Sequence, residues 1–211
     1  MMDVVAAVEE SRRGALVRFE SGEKLWFGRA AWLEHASLQP GDTEDLEALK
    51  QWLLPRQYPQ ALGGAVRLLA ARARSTGEIR QKLTAYGYMD DTVDMVLYKL
   101  EKEGLVDDEA FAREWAAARM RHQMGRSRIL RELMQKGVSR DTAERAVAEL
   151  DEEEGDAAAV ALAQKLLRRY ADEADAKKAM AKLMAAMARR GYDFEHARRA
   201  VEEALKAARE E

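Results

Sequence analysis

The chain has 211 residues, of which 47% are apolar and 35% charged, and 35 Lys and Arg against 38 Asp and Glu give a formal charge of −3. The absence of Cys excludes a disulfide framework, a thiolate metal site and a cysteine nucleophile, and no apolar run reaches the ~18 residues that a membrane span needs. The N-terminus MMDVVAAVEE has neither the basic stretch nor the apolar core of a signal peptide. We therefore expect a cytoplasmic protein that does not contact a membrane, with one large domain or two small ones.

Strand signals are concentrated in the first 57 residues. The segments DVVAAV, LVRF and KLWF are rich in β-branched and aromatic residues, and ESGE between the last two is typical of a hairpin turn. A sheet of two or three strands is marginal by itself, so we expect the segments RAAWLEHA and DTEDLEALKQWLL to cover it as helices. Asp42 or Thr43 is predicted to cap the second helix, and Pro55 is predicted to end it. We interpret 1–57 as a strand-rich arm with short helices.

An internal repeat organises the rest of the chain. The segment IRQKLTAYGY, which starts at Ile79, returns 50 residues later as ILRELMQKGV, and a weaker third copy, LMAAMARRGY, starts at Leu183. In each copy two apolar residues four apart share a helix face, the Gly suits the left-handed residue at a helix end, and the next apolar residue can close that cap. The following helices are predicted to open at the N-cap residues Asp90, Ser139 and Asp193, and Ser75 with Glu78 is predicted to form a capping box.

Each copy belongs to a predicted group of three helices. A longer helix precedes it, over about 58–73, 108–121 and 155–170, which divides the chain into repeats at 58–105, 106–152 and 153–211. The charge run DEEEGD between the last two repeats indicates a solvated helix end and linker. Because one triplet buries little apolar surface, stacked neighbours extend the core. The sequence predicts a mainly α fold in which three tandem three-helix repeats form an elongated, curved array behind the β-hairpin-containing arm.

No pattern in the sequence predicts catalysis. The three His are far apart and lack a second ligand at helical spacing, the Gly pair at 63–64 is not followed by Lys-Ser or Lys-Thr, and no Gly-x-Ser-x-Gly motif occurs. Asp107 and Asp108 precede a helix, where the dipole favours negative charge. Phe111 and Trp115 share a helix face and either pack in the core or stack on bases. We therefore predict a binding protein without catalytic, cofactor or metal sites.

Arginine is concentrated in the segment RMRHQMGRSRIL, which contains no acidic residue. Helix C-termini favour cations, which explains Arg119 and Arg121 without a partner. Arg126 and Arg128 lie near a predicted helix start that Ser127 caps, where the dipole disfavours them, so they indicate either a phosphate or acidic-protein site or a solvated turn. The residues predicted to bind a partner or nucleic acid are Arg113, Arg119, Arg121, Arg126, Arg128 and Arg131.

Three stretches resemble the RecX family of RecA recombinase regulators: ARARSTGEIRQKLTAYGY, LEKEGLVDDEAFAREWAAARM and GRSRILRELMQKGVSRDTAERAV. The shared signature includes Arg72, Arg74, Ser75, Gly104, Asp107, Asp108, Phe111, Ala112, Arg119, Gly125, Ile129, Glu132, Leu133, Lys136 and Gly137. The resemblance is specific over 61–150 and looser beyond it. The sequence departs from the family at Gly77, where a better helix former is usual, and at Arg126, where many members have Pro.

The resemblance implies a regulator that binds the RecA filament and most often inhibits its ATPase, strand-exchange and co-protease activities in homologous recombination and the SOS response. It implies no enzymatic activity and no cofactor, and we expect a cytoplasmic monomer. Single- or double-stranded DNA stays open as a second partner. The alternative from another functional class is a stand-alone nucleic-acid-binding helical-repeat module that uses the arginine-rich segment.

Overall fold

The computed structural model describes residues 1–35, 38–171, 173 and 175–210, without the side chains of 209 and 210. The chain divides into two compact units, unit 1 (Met1–Asp107) and unit 2 (Asp108–Glu211). The described residues of unit 1 form four strands and four helices: β1 (Met2–Ser11), β2 (Gly14–Phe19), β3 (Lys24–Gly28), α1 (Arg29–Glu34), β4 (Thr43–Asp45), α2 (Leu46–Ala71), α3 (Thr76–Ala85) and α4 (Asp90–Lys102). Those of unit 2 form six helices: α5 (Asp108–Arg121), α6 (Arg126–Gln135), α7 (Arg140–Ala148), α8 (Glu152–Arg169), α9 (Ala176–Arg190) and α10 (Phe194–Glu210).

The sheet of unit 1 is antiparallel, with the strand order β3-β2-β1-β4. The predicted hairpin is β2–β3, in which Leu16 faces Trp26 and Val17 faces Leu25. The fourth strand, β4, lies where the sequence indicated a helix start, so Asp42 and Thr43 do not cap α2. That role falls to Asp45, whose carboxylate accepts from the Glu47 amide at 3.2 Å. Because β4 pairs with β1, the helix starts two or three residues later than predicted.

Helix α2 continues through both of its prolines, so the prediction that Pro55 ends it is wrong. Pro55 and Pro59 are four residues apart and exposed, which places the carbonyls that lose their amide partners where water reaches them. The opposite face is buried along its length by Leu46, Leu49, Leu53, Gln57, Ala61 and Ala65. Apolar burial before and after the prolines offsets the roughly 3 kcal/mol that an interior Pro costs.

The repeat turns have the predicted geometry. Gly87, Gly137 and Gly191 all have positive φ, at 87°, 77° and 93°. The amide of the residue after each Gly donates to the carbonyl five positions earlier, as from Val138 to Leu133 at 3.1 Å and from Tyr192 to Met187 at 3.3 Å. These bonds close helix ends in the Schellman manner.

The predicted helix caps are confirmed at Ser75, Ser139 and Asp193, which accept from amides three residues later at 3.1, 3.2 and 2.8 Å. Two other predictions are wrong. Met89 precedes α4 in the cap position, so Asp90 is already inside the helix. Gly125 rather than Ser127 is the N-cap of α6, because the Ser127 hydroxyl donates to the Gly191 carbonyl instead.

Each group of three helices has a separate hydrophobic cluster. The cluster around Ile79 and Leu83 joins α2, α3 and α4, the one around Ile129 and Leu133 joins α5, α6 and α7, and the one around Leu183 joins α8, α9 and α10. A fourth cluster fills the space between the sheet, α1 and the start of α2. The mainly helical prediction, with three three-helix repeats and a small N-terminal strand region, is confirmed. The boundaries between the four predicted domains stay a prediction.

One buried amide joins the strand region to the first repeat within unit 1. The Gln57 side chain is 1% exposed and donates from Nε2 to the Trp26 carbonyl at 2.8 Å. Its Oε1 accepts from the Met89 amide and from the Thr92 hydroxyl, both at 3.0 Å. Because all three partners lie in different elements or turns, Gln57 fixes β3 against the α3–α4 turn and α4.

Candidate functional site

Arg119 and Arg128, two of the six arginines in the predicted site, share one carboxylate inside unit 2. Arg119 Nε lies 2.6 Å from Glu132 Oε2, and Arg128 Nε lies 3.0 Å from Glu132 Oε1. Burial alone would raise the pKa of the Glu132 carboxyl, but the hydrogen bonds from Arg128 and Arg119 outweigh it and hold that pKa below its ordinary value. This three-residue network ties α5 to α6.

The aromatic pair on α5 is also part of the internal structure. Phe111 is buried and stacks on Trp115 at a ring-centroid distance of 5.9 Å. Arg119 Cζ lies 4.5 Å from the centroid of the Trp115 ring, and Lys136 Nζ lies 4.0 Å from it. Cations within about 6 Å of an aromatic ring are attracted to its face. Of the two interpretations left open by the sequence, these contacts favour packing over base stacking.

Arg126 caps a neighbouring helix end. Its two terminal nitrogens donate to the Val147 carbonyl at 3.1 Å and the Leu150 carbonyl at 2.8 Å, where α7 ends. A cation at a helix C-terminus is favoured by the macrodipole, which explains why an arginine is placed at the start of α6. The departure from the usual Pro at this position therefore supplies a capping group for α7.

Arg113, Arg121 and Arg131 are exposed, and the described part of the chain offers them no acidic partner. Arg113 lies beside Glu109 and Arg145, but Glu109 is paired with Arg145 at 2.8 Å. The predicted set thus separates into three arginines with internal partners and three that are available to a ligand.

Arg121 lines a groove whose other cations come from two repeats of unit 2. Two adjoining cavities of about 720 and 520 Å³ share Lys165 and Arg190 in their walls. We call this space the basic groove, and its cations are Arg119, Arg121, Arg128, Lys165, Arg168, Arg169, Arg189 and Arg190. Among the described residues that line it, none is acidic.

The basic groove forms where three helices end. Helices α5, α8 and α9 each carry basic residues in the last turn, where the dipole favours cations. The α5–α6 turn is fixed to the end of α9, because the Gly125 amide donates to the Arg190 carbonyl at 2.8 Å and Arg128 Nη1 donates to the Arg189 carbonyl at 3.2 Å. Backbone contact between these turns therefore brings the cations of both repeats together.

Five cations of the basic groove have no ion pair or side-chain hydrogen bond to any described residue: Arg121, Lys165, Arg168, Arg169 and Arg189. The other three are held internally, since Arg119 and Arg128 contact Glu132 and Arg190 donates to the His122 carbonyl at 3.2 Å. Among the described residues, Glu132 is the one carboxylate that pairs with these side chains, so the groove carries a large local surplus of positive charge. Such a surplus favours an anion over a cation in the groove.

Sequence reasoning missed the four arginines and one lysine that the third repeat contributes. Residues 151–211 carry 12 basic and 14 acidic side chains, so this segment looks acidic when it is counted as a whole. The available signal was the Arg pair in the last turn of α8 and again in the last turn of α9, in LLRRY and MARRG. Only contact between the turns shows that these pairs and Arg121 line one groove.

The described residues contain no group of three His, Asp or Glu placed to hold a metal ion. His196 contacts Asp156 at 2.8 Å and Asp193 at 3.4 Å, which links α8 to α10. Within the same part of the chain, no helix is both long and apolar enough to cross a bilayer.

Known proteins match this chain over all three repeats. The family models of the first, second and third three-helix domains of RecX match residues 61–100, 107–147 and 152–201. The regulatory protein RecX of Mycobacterium ulcerans (strain Agy99) is 39% identical over 140 residues, which is 65% of this chain and 80% of that protein. The regulatory protein RecX of Mycolicibacterium smegmatis is 35% identical over 161 residues, or 74% of this chain and 84% of that protein.

Solved structures show the same fold. A crystal structure of a regulatory protein RecX superposes with a TM-score of 0.64 at 18% identity, and the match covers 95% of this chain and 99% of that one. A crystal structure of RecX from Lactobacillus salivarius gives a TM-score of 0.64 at 20% identity and covers 71% of this chain and 97% of that one.

Proposed function

This chain belongs to the RecX family of regulatory proteins, and from that membership we propose that it binds the RecA recombinase filament and inhibits it. The inhibited activities are ATP hydrolysis, strand exchange and co-protease action in recombination and the SOS response. The protein acts in the cytoplasm as a monomer and without a cofactor. The observation that carries this proposal is the match of all three repeats to the three domains of one regulatory family.

Within this function, the six arginines predicted from the sequence have two kinds of role. Arg113, Arg121 and Arg131 are exposed and contact the anionic surface of the filament. Arg119, Arg126 and Arg128 have internal partners, so they position the helices that present the other three. Exposed charges mainly affect the association rate and its salt dependence, and internally paired charges affect stability.

The test is ATP turnover by RecA on single-stranded DNA with the full-length protein added up to a stoichiometric ratio. We expect turnover to fall, and the protein to sediment with the filament. Unchanged turnover together with no co-sedimentation would refute the proposal.

A charge-reversal pair tests the proposed contact residues. We expect Arg113→Glu/Arg131→Glu to raise the half-inhibitory concentration about tenfold, because each reversal replaces an attraction with a repulsion. Arg198→Glu/Arg199→Glu on α10 changes the net charge equally at exposed positions outside the predicted site and should inhibit like the unmodified protein. Equal effects of the two variants would show that inhibition depends only on the net charge of the protein and not on Arg113 and Arg131.

A further inference from the structure

We propose that a cavity inside unit 2 binds a small uncharged aromatic molecule, with one ring and a hydroxyl or similar hydrogen-bonding group. The cavity has a volume of about 200 Å³ and is lined by both the α5–α6 turn, at Gly125, and the α9–α10 turn, at Gly191 and Tyr192. We call this space the junction cavity. Such binding requires no recombinase, so it goes beyond the proposed function.

The walls of the junction cavity are largely apolar and contain two methionines. Met120, Ile129 and Leu150 are buried and line it, and Met124 lines it as a half-buried residue. Methionine side chains adapt their shape to a ligand, and their sulfur makes favourable contacts with aromatic rings. These walls therefore favour an aromatic ring over a polar molecule of the same size.

One polar group in the wall lacks a partner. Tyr192 is 9% exposed, and its buried hydroxyl has no hydrogen bond to any described residue. Buried polar groups are nearly always hydrogen-bonded, so an unpaired hydroxyl indicates a partner that the chain itself does not supply. Burial raises the pKa of Tyr192 to about 12, so at neutral pH the hydroxyl is protonated and can both donate and accept. A hydroxyl on the ligand would satisfy it.

The charged side chains that line the cavity already have partners within unit 2. Arg126 donates to the carbonyls of Val147 and Leu150, and Asp193 contacts both the amide and the ring of His196. A charged ligand would lose its hydration and gain no free counter-charge, which makes its burial costly. We therefore expect an uncharged ligand.

The volume of the cavity limits the ligand to one ring. An apolar protein cavity of about 150 Å³ can hold benzene, whereas sites for drug-sized molecules begin at about 300 Å³. Gly155 leaves part of this space open, because a Cβ there would meet only Met120 Sδ at 3.8 Å. A larger side chain at 155 can therefore occupy the space that we assign to the ligand.

The experiment is a phenol titration of the full-length protein, without recombinase, followed by NMR of its isotope-labelled methionine methyl groups. We expect the signals of Met120 and Met124 to shift and saturate, because the ring current of a bound phenol acts on nearby methyls. The signals of Met95 and Met134, which are exposed and lie outside the cavity, should not move. Toluene lacks the hydroxyl and should bind roughly two- to tenfold more weakly than phenol.

Two variants separate the hydroxyl from the space. Tyr192→Phe keeps the ring, so it should weaken phenol roughly two- to tenfold and leave the affinity for toluene unchanged. Gly155→Leu should fill the cavity and abolish the saturable shifts. Its matched control is Gly63→Leu on α2, where the Cβ would meet only Arg67 Nη1 at 3.5 Å, and this variant should bind like the unmodified protein. Circular dichroism establishes that each variant is folded, and the comparison of phenol with toluene in Tyr192→Phe does not depend on Gly155→Leu.

Four results would overturn the inference. Phenol may produce no saturable shift at Met120 and Met124, which would assign the Tyr192 hydroxyl to water only. Shifts of equal size at Met95 and Met134 would show adsorption to the surface. An equal loss of affinity for phenol and toluene in Tyr192→Phe would reduce the hydroxyl to a structural role, and tighter binding of benzoate or benzylamine than of phenol would contradict the choice of an uncharged ligand.

Discussion

Replacement of Gly125 by Ala tests whether backbone contact between two turns holds unit 2 together. A Cβ at this position would lie 2.3 Å from the carbonyl carbon and oxygen of Gly191 and 2.6 Å from the Tyr192 amide nitrogen. Gly125 has an ordinary φ of −76°, so Ala brings no backbone strain of its own. Any loss of stability therefore comes from the contact with the opposite turn.

The loss of stability in Gly125→Ala follows from the backbone atoms that must move to make room for the new Cβ. All three nearby atoms belong to the backbone, so the α5–α6 and α9–α10 turns have to separate by about 1 Å to reach an ordinary contact distance. Overpacking of this kind costs roughly 1–3 kcal/mol. Separation also stretches the hydrogen bonds from the Gly125 amide to Arg190 and from Ser127 to Gly191, at about 1 kcal/mol each. We expect unit 2 to lose about 3–5 kcal/mol.

Hydrogen exchange measured by mass spectrometry on the full chain reports this loss separately for each unit. Gly125→Ala should accelerate exchange in peptides from 108–210 and leave those from 1–107 unchanged. Gly155→Ala is the matched control in the same unit, because its Cβ would meet only Met120 Sδ at 3.8 Å. Since Gly155 lies inside α8, that variant should be more stable by about 0.5–1 kcal/mol. Equal exchange in Gly125→Ala and the unmodified protein would refute the steric reasoning.

Two further substitutions test buried polar groups. Gln57→Leu leaves its three hydrogen-bond partners unsatisfied and should destabilise unit 1 by about 3 kcal/mol in urea unfolding, while Gln51→Ala on the exposed side of α2 should change little. The pKa of Glu132 is lower in the folded chain than its unfolded value of about 4.5. The stability that the ionised carboxylate contributes is therefore fully present above the unfolded pKa and is lost as the pH falls through the folded pKa. Glu132→Gln should therefore reduce stability at pH 7 and flatten its decline in acid, and a decline as steep as in the unmodified protein would contradict the role of Arg119 and Arg128.

The repeat and its turns could be predicted because the rules that decide them act over a few residues. A Gly four positions after an apolar helix residue ends the helix wherever it occurs, and the positive φ at Gly87, Gly137 and Gly191 has this local cause. The same holds for Ser75 and Ser139, whose hydroxyls reach amides three residues away. The resemblance to the RecX family could be recognised for the same reason, since these local signals recur at fixed spacing.

Other predictions failed where a distant segment outweighed a local preference. An interior Pro ends most helices. Helix α2 nevertheless continues through Pro55, because two apolar clusters pack on its opposite face. Ser127 is a good N-cap residue by type, yet its hydroxyl bonds to a carbonyl 64 residues further along the chain. Such local preferences amount to about 1 kcal/mol for a helix cap and about 3 kcal/mol for an interior Pro, and burial of several apolar side chains exceeds both.

The sequence by itself determined the helical repeats, the strand-rich start, the family and the positions of the arginines, because all of these depend on residue type and short spacing. Only the tertiary structure decided which arginines have internal partners. Arg119 and Arg126 have partners 13 to 24 residues away, whereas Arg121 faces a groove completed by cations that follow it by more than 40 residues. A charge is available to a ligand only when no nearby group neutralises it, and that depends on which segments the fold brings together.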